Sequence, residues 1–247
     1  MAPTPPSGTS GTSGSTGSGS GSAERSPHEA VDEFGIPVLA EPVNASQRKR
    51  AAIIAAALAV FLDEGYTAAS VDAIAAKAGV SKPTIYNHFG NKERLFLAVI
   101  AGTLPTSFAP LVEPLAELRA TDDVAGGFHR LGLAMAVTVT DDAVLRLRRL
   151  VIGEVDRFPQ LGHLWHRLGP SWFNTEMAAT FEYLIERGVL RMDDPDLASQ
   201  QLTALTVGVP QLIRTFQPDV PLPEETVRRM VESGIKVFLA AYAVPAS

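Results

Sequence analysis

The chain has no cysteine, which excludes disulfides, thiolate metal sites, cysteine nucleophiles and redox sensing through thiols. Long apolar runs are also missing. The longest, residues 51–62, is too short to cross a bilayer. The Met1 end lacks the basic and apolar regions of a secretion signal. No glycine loop precedes a helix as a phosphate cradle, and no convincing strand alternation appears. These absences predict a cytoplasmic, all-α protein with no membrane partner and no cofactor. The 247 residues are 46% hydrophobic, enough for a substantial core in one or two domains.

An excess of positive charge is missing as well, since the net charge is −6. The distribution matters more than the total. Residues 1–45 carry −4, residues 46–103 carry +3 and residues 104–247 carry −5. Only the middle segment is attractive to a polyanion, and modestly so, which implies a local contact made by two copies of the chain.

Within that segment, residues 70–92 read S-V-D-A-I-A-A-K-A-G-V-S-K-P-T-I-Y-N-H-F-G-N-K. Ser70 can cap a helix whose apolar face is Val71, Ile74 and Ala75, with Asp72 favourable at its positive end. Gly79 follows where a chain leaving a helix needs positive φ. Ser81 caps a second helix starting at Lys82, and Pro83 sits in its first turn, where a missing N–H breaks no bond. Ile85 and Phe89 are four apart and can pack inward, leaving Lys82, Thr84, Tyr86, Asn87 and His88 for other faces. Asn91 caps the next helix, and Lys92 at its N-terminus can share a phosphate with the free N–H groups. This is a helix-turn-helix, and it makes double-stranded DNA the expected partner. A hairpin that merely packs would not ask for Lys82, Thr84, Tyr86 and Lys92 on its outer side.

The longer stretch 64–95, E-G-Y-T-A-A-S-V-D-A-I-A-A-K-A-G-V-S-K-P-T-I-Y-N-H-F-G-N-K-E-R-L, resembles the DNA-binding signature of the tetracycline-repressor (TetR) family. Pro83 stands where that family often has glycine. The resemblance covers about residues 48–100. It implies a homodimeric regulator, most simply a repressor of a palindromic operator that a small molecule releases. It further implies an N-terminal three-helix DNA-binding domain followed by a larger helical domain for ligand binding and dimerisation. Arg48, Ser70, Lys82, Pro83, Thr84, Tyr86, Asn87, His88 and Lys92 are the expected DNA contacts. Lys82, Thr84 and Asn87 would read bases, and Tyr86, Thr84 and Lys92 would hold phosphates.

Elsewhere the organisation is legible from composition and spacing. Residues 1–45 form a Gly/Ser/Thr/Pro-rich tail in which 8–22 are all Gly, Ser or Thr, a composition that predicts disorder. A supporting helix over 46–64 buries Ile53, Ile54, Ala57, Leu58, Phe61 and Leu62 and stops at Gly65; Arg48, Lys49 and Arg50 at its start either reach the DNA backbone or form a solvated helix end. A helix from 91 to about 102 joins the DNA-binding domain, 46–103, to the second domain, 104–247, with a break over 102–114. Nine or ten helices are expected in all. Helices 170–187 and 195–215 are the expected dimer pair, with Ala179, Tyr183, Leu202, Leu205 and Val209 at the interface and a kink at Pro210. The effector pocket is sought among Phe128, Met135, Thr138, Trp165, Trp172, Phe173 and Met177, so the effector should be small and largely apolar.

Two competing readings are weaker. A zinc-dependent enzyme would use His163 and His166 with His129 or Asp156, but H-L-W-H lacks the i, i+4 spacing and glutamate of the hydrolytic motif. The paired acids at 122–123, 141–142 and 193–194 fall at helix starts, where capping accounts for them. A protein-interaction module with a hairpin that does not bind DNA would leave the basic segment unexplained.

Overall fold

Apolar residues three and four apart become buried helix faces throughout the computed structural model, which describes residues 44–245. The disorder expected over 8–22 concerns residues outside this range. Nine continuous helical runs occur among the described residues, and short 3₁₀ or π turns subdivide three of them. α1 (Ala45–Ala68) begins with a capping box in which Asn44 and Gln47 exchange hydrogen bonds of 2.9 and 3.1 Å. Gly65, at φ 74°, interrupts its last turn, as expected. α2 (Val71–Ala78), α3 (Lys82–Phe89) and α4 (Lys92–Phe108) complete the N-terminal head. Ile53, Phe61, Ile74, Ile85, Leu95 and Phe96 are its fully buried centre.

The break expected over 102–114 does not occur. α4 runs on through a 3₁₀ turn, Ala109–Leu111, into α5 (Val112–Ala120), so residue 103 lies inside a continuous helical run. Leu104, Phe108 and Leu111 are buried and pin this run down. Next to Pro105, the Thr103 carbonyl accepts from the hydroxyls of Thr106 and Ser107 at 2.8 and 3.0 Å. Proline signals a boundary only where packing does not outweigh it.

The second domain continues with α6 (Val124–Thr140), α7 (Asp142–Glu154), α8 (Pro159–His166), α9 (Trp172–Glu186), α10 (Pro195–Thr203), α11 (Val209–Phe216) and α12 (Glu224–Tyr242). Asp123, Asp141 and Asp194 cap α6, α7 and α10, which is the role expected of the paired acids. Two π turns border a cavity in this domain. Arg167–Ser171 contains Pro170 and fuses α8 to α9; Ala204–Gly208 fuses α10 to α11 just ahead of Pro210. The kink expected at Pro210 is thus a widened turn, whose extra residue absorbs the bond that proline cannot make.

α12 packs against α6 and the second π turn where glycine permits. A Cβ on Gly132 would sit 2.8 Å from Ile235 and Val231. The stretches 45–68 and 92–120 have the length and mean hydropathy of a membrane span, but Ile53, Ala57, Phe61, Leu95, Phe96 and Val99 on them are buried against other helices. Among the described residues the single strand-like feature is an antiparallel bridge between Leu190 and Ala243.

Candidate nucleic-acid interface and effector cavity

The reading head is built from local rules. Ser70 Oγ accepts from Ala73 N at 3.0 Å, Ser81 Oγ from Thr84 N at 3.3 Å, and Asn91 Oδ1 from Arg94 N at 2.7 Å. Gly79 takes φ 66°, and its N–H closes onto the Ala75 and Ala76 carbonyls. Ile85 and Phe89 are buried beneath α3, while Lys82, Pro83, Tyr86 and Asn87 are exposed and Thr84 and His88 half-buried. Ser70 and Arg48 are also exposed. The outward side of α3 therefore carries cationic, hydroxyl and amide groups suited to a DNA groove.

Three charged side chains have engagements that spacing did not reveal. Lys82 Nζ lies 2.9 Å from Asp72 Oδ2 across the hairpin turn, which raises the ammonium above its ordinary pKa. Lys92 Nζ lies 4.6 Å from the Tyr66 ring centre and donates to the Thr67 carbonyl at 3.3 Å. Burial, with Arg157 nearby, pushes the Lys92 ammonium below its ordinary pKa. Arg50 corrects an expectation. It is 7% exposed, with its guanidinium 4.7 Å from the Phe89 ring centre. This cation–π contact ties the start of α1 to the end of α3, so Arg50 supports the reading helix and is not placed to reach a phosphate.

The head is joined to the second domain by an aromatic junction. Tyr66 stacks on Phe96 and meets Phe158 edge-on, both at 4.9 Å. Arg157 lies over the Tyr66 and Phe158 rings at 5.6 and 5.0 Å. Arg146 of α7 bonds Asp63 Oδ1 at 3.0 Å, and Gln160 of α8 bonds Glu93 Oε1 at 2.7 Å. Lys92 is thus part of the same cluster as the interdomain contacts.

A cavity of about 220 Å³ opens in the second domain where the two π turns approach each other. Phe108, Met135, Val139, Phe173 and Val207 give it apolar walls, and Asn174, Gln200, Thr203 and Gln211 supply polar groups. Of the residues expected to line a pocket, Met135 and Phe173 do so. Phe128 instead packs with Phe181 and Phe238 at 6.0 and 5.5 Å, and Met177 and Thr138 are buried outside the cavity. Trp165 lines a neighbouring hollow, and Trp172 packs half-buried on the core. Apolar helical spacing marks core and cavity wall alike, so it could not separate them. The contribution of α10 and α11 to the cavity was missed, although the proline-bearing helix that widens there was visible in the sequence.

The expected dimer residues also divide. Leu202 is 2% exposed and packs inside the protomer, so it has no area left to bury. Ala179 and Tyr183 are exposed on α9. Leu205, Val209, Leu212 and Phe216 are all exposed, at i, i+4, i+7 and i+11 along α10–α11. Val237 of α12 is exposed across a groove from Leu205 and Val209. Among the described residues, no three His, Asp or Glu side chains converge to hold a metal.

Comparison with known proteins agrees with this geometry. Residues 53–99 match the model for bacterial regulatory proteins of the tetR family, and residues 127–244 match that for the C-terminal domain of AefR-like transcriptional repressors. A crystal structure of a TetR-family transcriptional regulator from Mesorhizobium loti is 33% identical, covering 81% of this chain and 100% of that one, with a TM-score of 0.78. The flavonoid-responsive regulator FrrA is 31% identical over 81% of this chain and 99% of its own, with a TM-score of 0.66. The transcriptional activator FasR of Mycolicibacterium smegmatis is 52% identical over 52 residues, 21% of this chain and 24% of that protein.

Proposed function

The chain belongs to the TetR family of DNA-binding transcriptional regulators, and from that premise we propose that it is a cytoplasmic homodimeric repressor, released from a palindromic operator by a small molecule. The observation that carries this reading is the pairing of an exposed, cationic α3 with a separate cavity, the two joined by a continuous helical run from Lys92 to Ala120. One short recognition helix per protomer must reach successive major-groove faces about 34–36 Å apart, so two copies are required. The stripe of Leu205, Val209, Leu212 and Phe216, with Val237 beside it, is the surface on which the second copy packs. This keeps the expected 195–215 member of the pair, which is α10–α11, and replaces the 170–187 member, α9, by α12, because α9 exposes no comparable apolar stripe.

Release follows if the effector favours a conformer with the wrong spacing between reading heads. Phe108 lines the cavity from the C-terminal end of α4, and Lys92 is the first residue of the same helix at the DNA end. A small molecule needs to discriminate the two conformers by only about 2.7 kcal/mol to change their ratio a hundredfold. That one relative responds to flavonoids supports gating by a small organic compound. The activator name of another favours a second reading, in which the bound protein promotes transcription.

Selecting bound genomic fragments with the purified chain, then placing a recovered site upstream of a reporter, tests both. The expected result is an inverted repeat bound by dimers, with reporter output rising when the regulator is deleted. Falling output would assign activation. Failure to enrich any inverted repeat would refute the dimeric-operator reading.

A further inference from the structure

The surroundings of Arg148 name the chemistry of the effector, an inference that rests on the ligand-release reading above. Arg148 lies on α7, half-buried, and donates from Nη1 to Gln211 Oε1 at 2.6 Å. Its Nε is buried without a partner. Its neighbours are better served, since Arg146 pairs with Asp63 and Arg149 donates to the Arg214 carbonyl at 3.1 Å. No ion pair among the described residues includes Arg148. Burial lowers the guanidinium from its ordinary pKa, with no acid acting in the opposite direction. Arginine nevertheless stays protonated at neutral pH, so this is a desolvated positive charge without a counter-ion.

Its position ties it to the cavity. Gln211, which accepts its one hydrogen bond, is a cavity wall residue. Arg148 itself lines a hollow of about 310 Å³ beside the cavity, and Pro170 is a wall of both. With Nη1 committed to Gln211, the Nε–Nη2 edge of the fork remains, which is the edge that a carboxylate takes with two parallel bonds. On the cavity wall, Asn174 Oδ1 is also buried without a hydrogen-bond partner.

We propose that the effector is an amphipathic organic acid, whose carboxylate pairs with Arg148 and whose apolar body lies against Met135, Val139, Phe173 and Val207. A cavity of about 220 Å³, at roughly 30 Å³ per water-sized atom, holds about seven non-hydrogen atoms, one ring or a short chain. The acid end then extends towards the Arg148 hollow. A hydroxyl or N–H on the body satisfies Asn174 Oδ1.

The test compares three probes that share a body and differ at one end: 4-methylbenzoate, 4-methylbenzyl alcohol and 4-methylbenzylamine, titrated calorimetrically into the full chain. The acid is expected to bind at least about tenfold tighter than the alcohol, and the amine most weakly. Arg148→Met, which keeps the apolar stem, should abolish the preference while leaving the alcohol within about threefold; Arg148→Lys should keep part of it. Arg148→Gln replaces the methionine variant if that one does not fold. Equal affinity for acid and alcohol, an acid preference that survives loss of the charge, or no binding of any probe would overturn the proposal. Operator affinity measured on the same samples keeps the two readings apart. Arg148-dependent acid binding that leaves operator affinity unchanged refutes release and spares the ligand class. Release by the neutral probe with no acid preference refutes the ligand class alone.

Discussion

Replacing Gly234 by alanine should destabilise the protein, and the same replacement at Gly153 should stabilise it. Gly234 faces the π turn between α10 and α11. An added Cβ would overlap the Leu205 carbonyl oxygen, lie 2.7 Å from the carbonyl carbon and meet Thr206 Cγ2 at 3.1 Å. Carbon contacts are comfortable at about 3.5–4.0 Å, so α12 would have to retreat by roughly an ångström. The obstacle is backbone that is itself held in a helical run, so it cannot swing aside as a side chain would. Overpacking of this kind costs about 1–3 kcal/mol. Against it stands the gain of about 0.5–1 kcal/mol from replacing a helical glycine by alanine. The overlap wins, leaving a net loss of about 1–2 kcal/mol, which lowers the melting temperature by about 2–8 °C in a chain of this size. At Gly153, near the end of α7, the added Cβ meets nothing within 4 Å, so only the gain remains. Thermal unfolding of both variants and the parent by circular dichroism, at one protein concentration because the proposed dimerisation would contribute, decides the matter. A Gly234→Ala variant as stable as the parent, or equal shifts of one sign in both variants, would refute the close-approach argument.

Lys92→Met keeps the stem on the Tyr66 ring and removes an ammonium that burial disfavours. Stability should stay within about 1 kcal/mol of the parent, while DNA affinity falls for all sequences and the salt slope drops by roughly one per subunit. An unchanged slope would remove Lys92 from the phosphate contacts. Asp72→Asn frees Lys82 and deletes a negative charge from the DNA face, so operator binding should tighten and depend more steeply on salt; fluorescence anisotropy at several salt concentrations checks it. Phe216→Glu and Val209→Glu should give helical monomers that lose operator binding, and a dimer that persists in sedimentation would move the interface elsewhere. Arg146→Ala cuts the α7 link to Asp63 and should weaken the response of operator affinity to effector without altering the base preference of the reading head, as read by selection from random DNA.

The reading head was legible because its signals are local. A cap, a glycine at positive φ and an i, i+4 apolar pair act within one or two turns, so Ser70, Gly79, Ser81, Ile85, Phe89 and Asn91 have the roles their spacing implies. The all-α architecture was legible for the same reason. Long-range pairings were not, since no spacing rule links Lys82 to Asp72, Arg50 to Phe89 or Lys92 to Tyr66. An apolar residue at helical spacing is compatible with core, cavity wall or interface, which is why Phe128, Met177 and Leu202 lie in the packed interior and Met135 and Phe173 on a cavity. Pro105 lies within a helix that tertiary burial carries past it, while Pro210 follows a widened turn. The sequence by itself therefore determined the helices, the helix-turn-helix and the charge of its face, because each depends on neighbours along the chain. Only the tertiary structure decided where the cavity opens, which apolar stripe stays outside and which arginine lies half-buried without a carboxylate, because each depends on how whole helices fill space against one another.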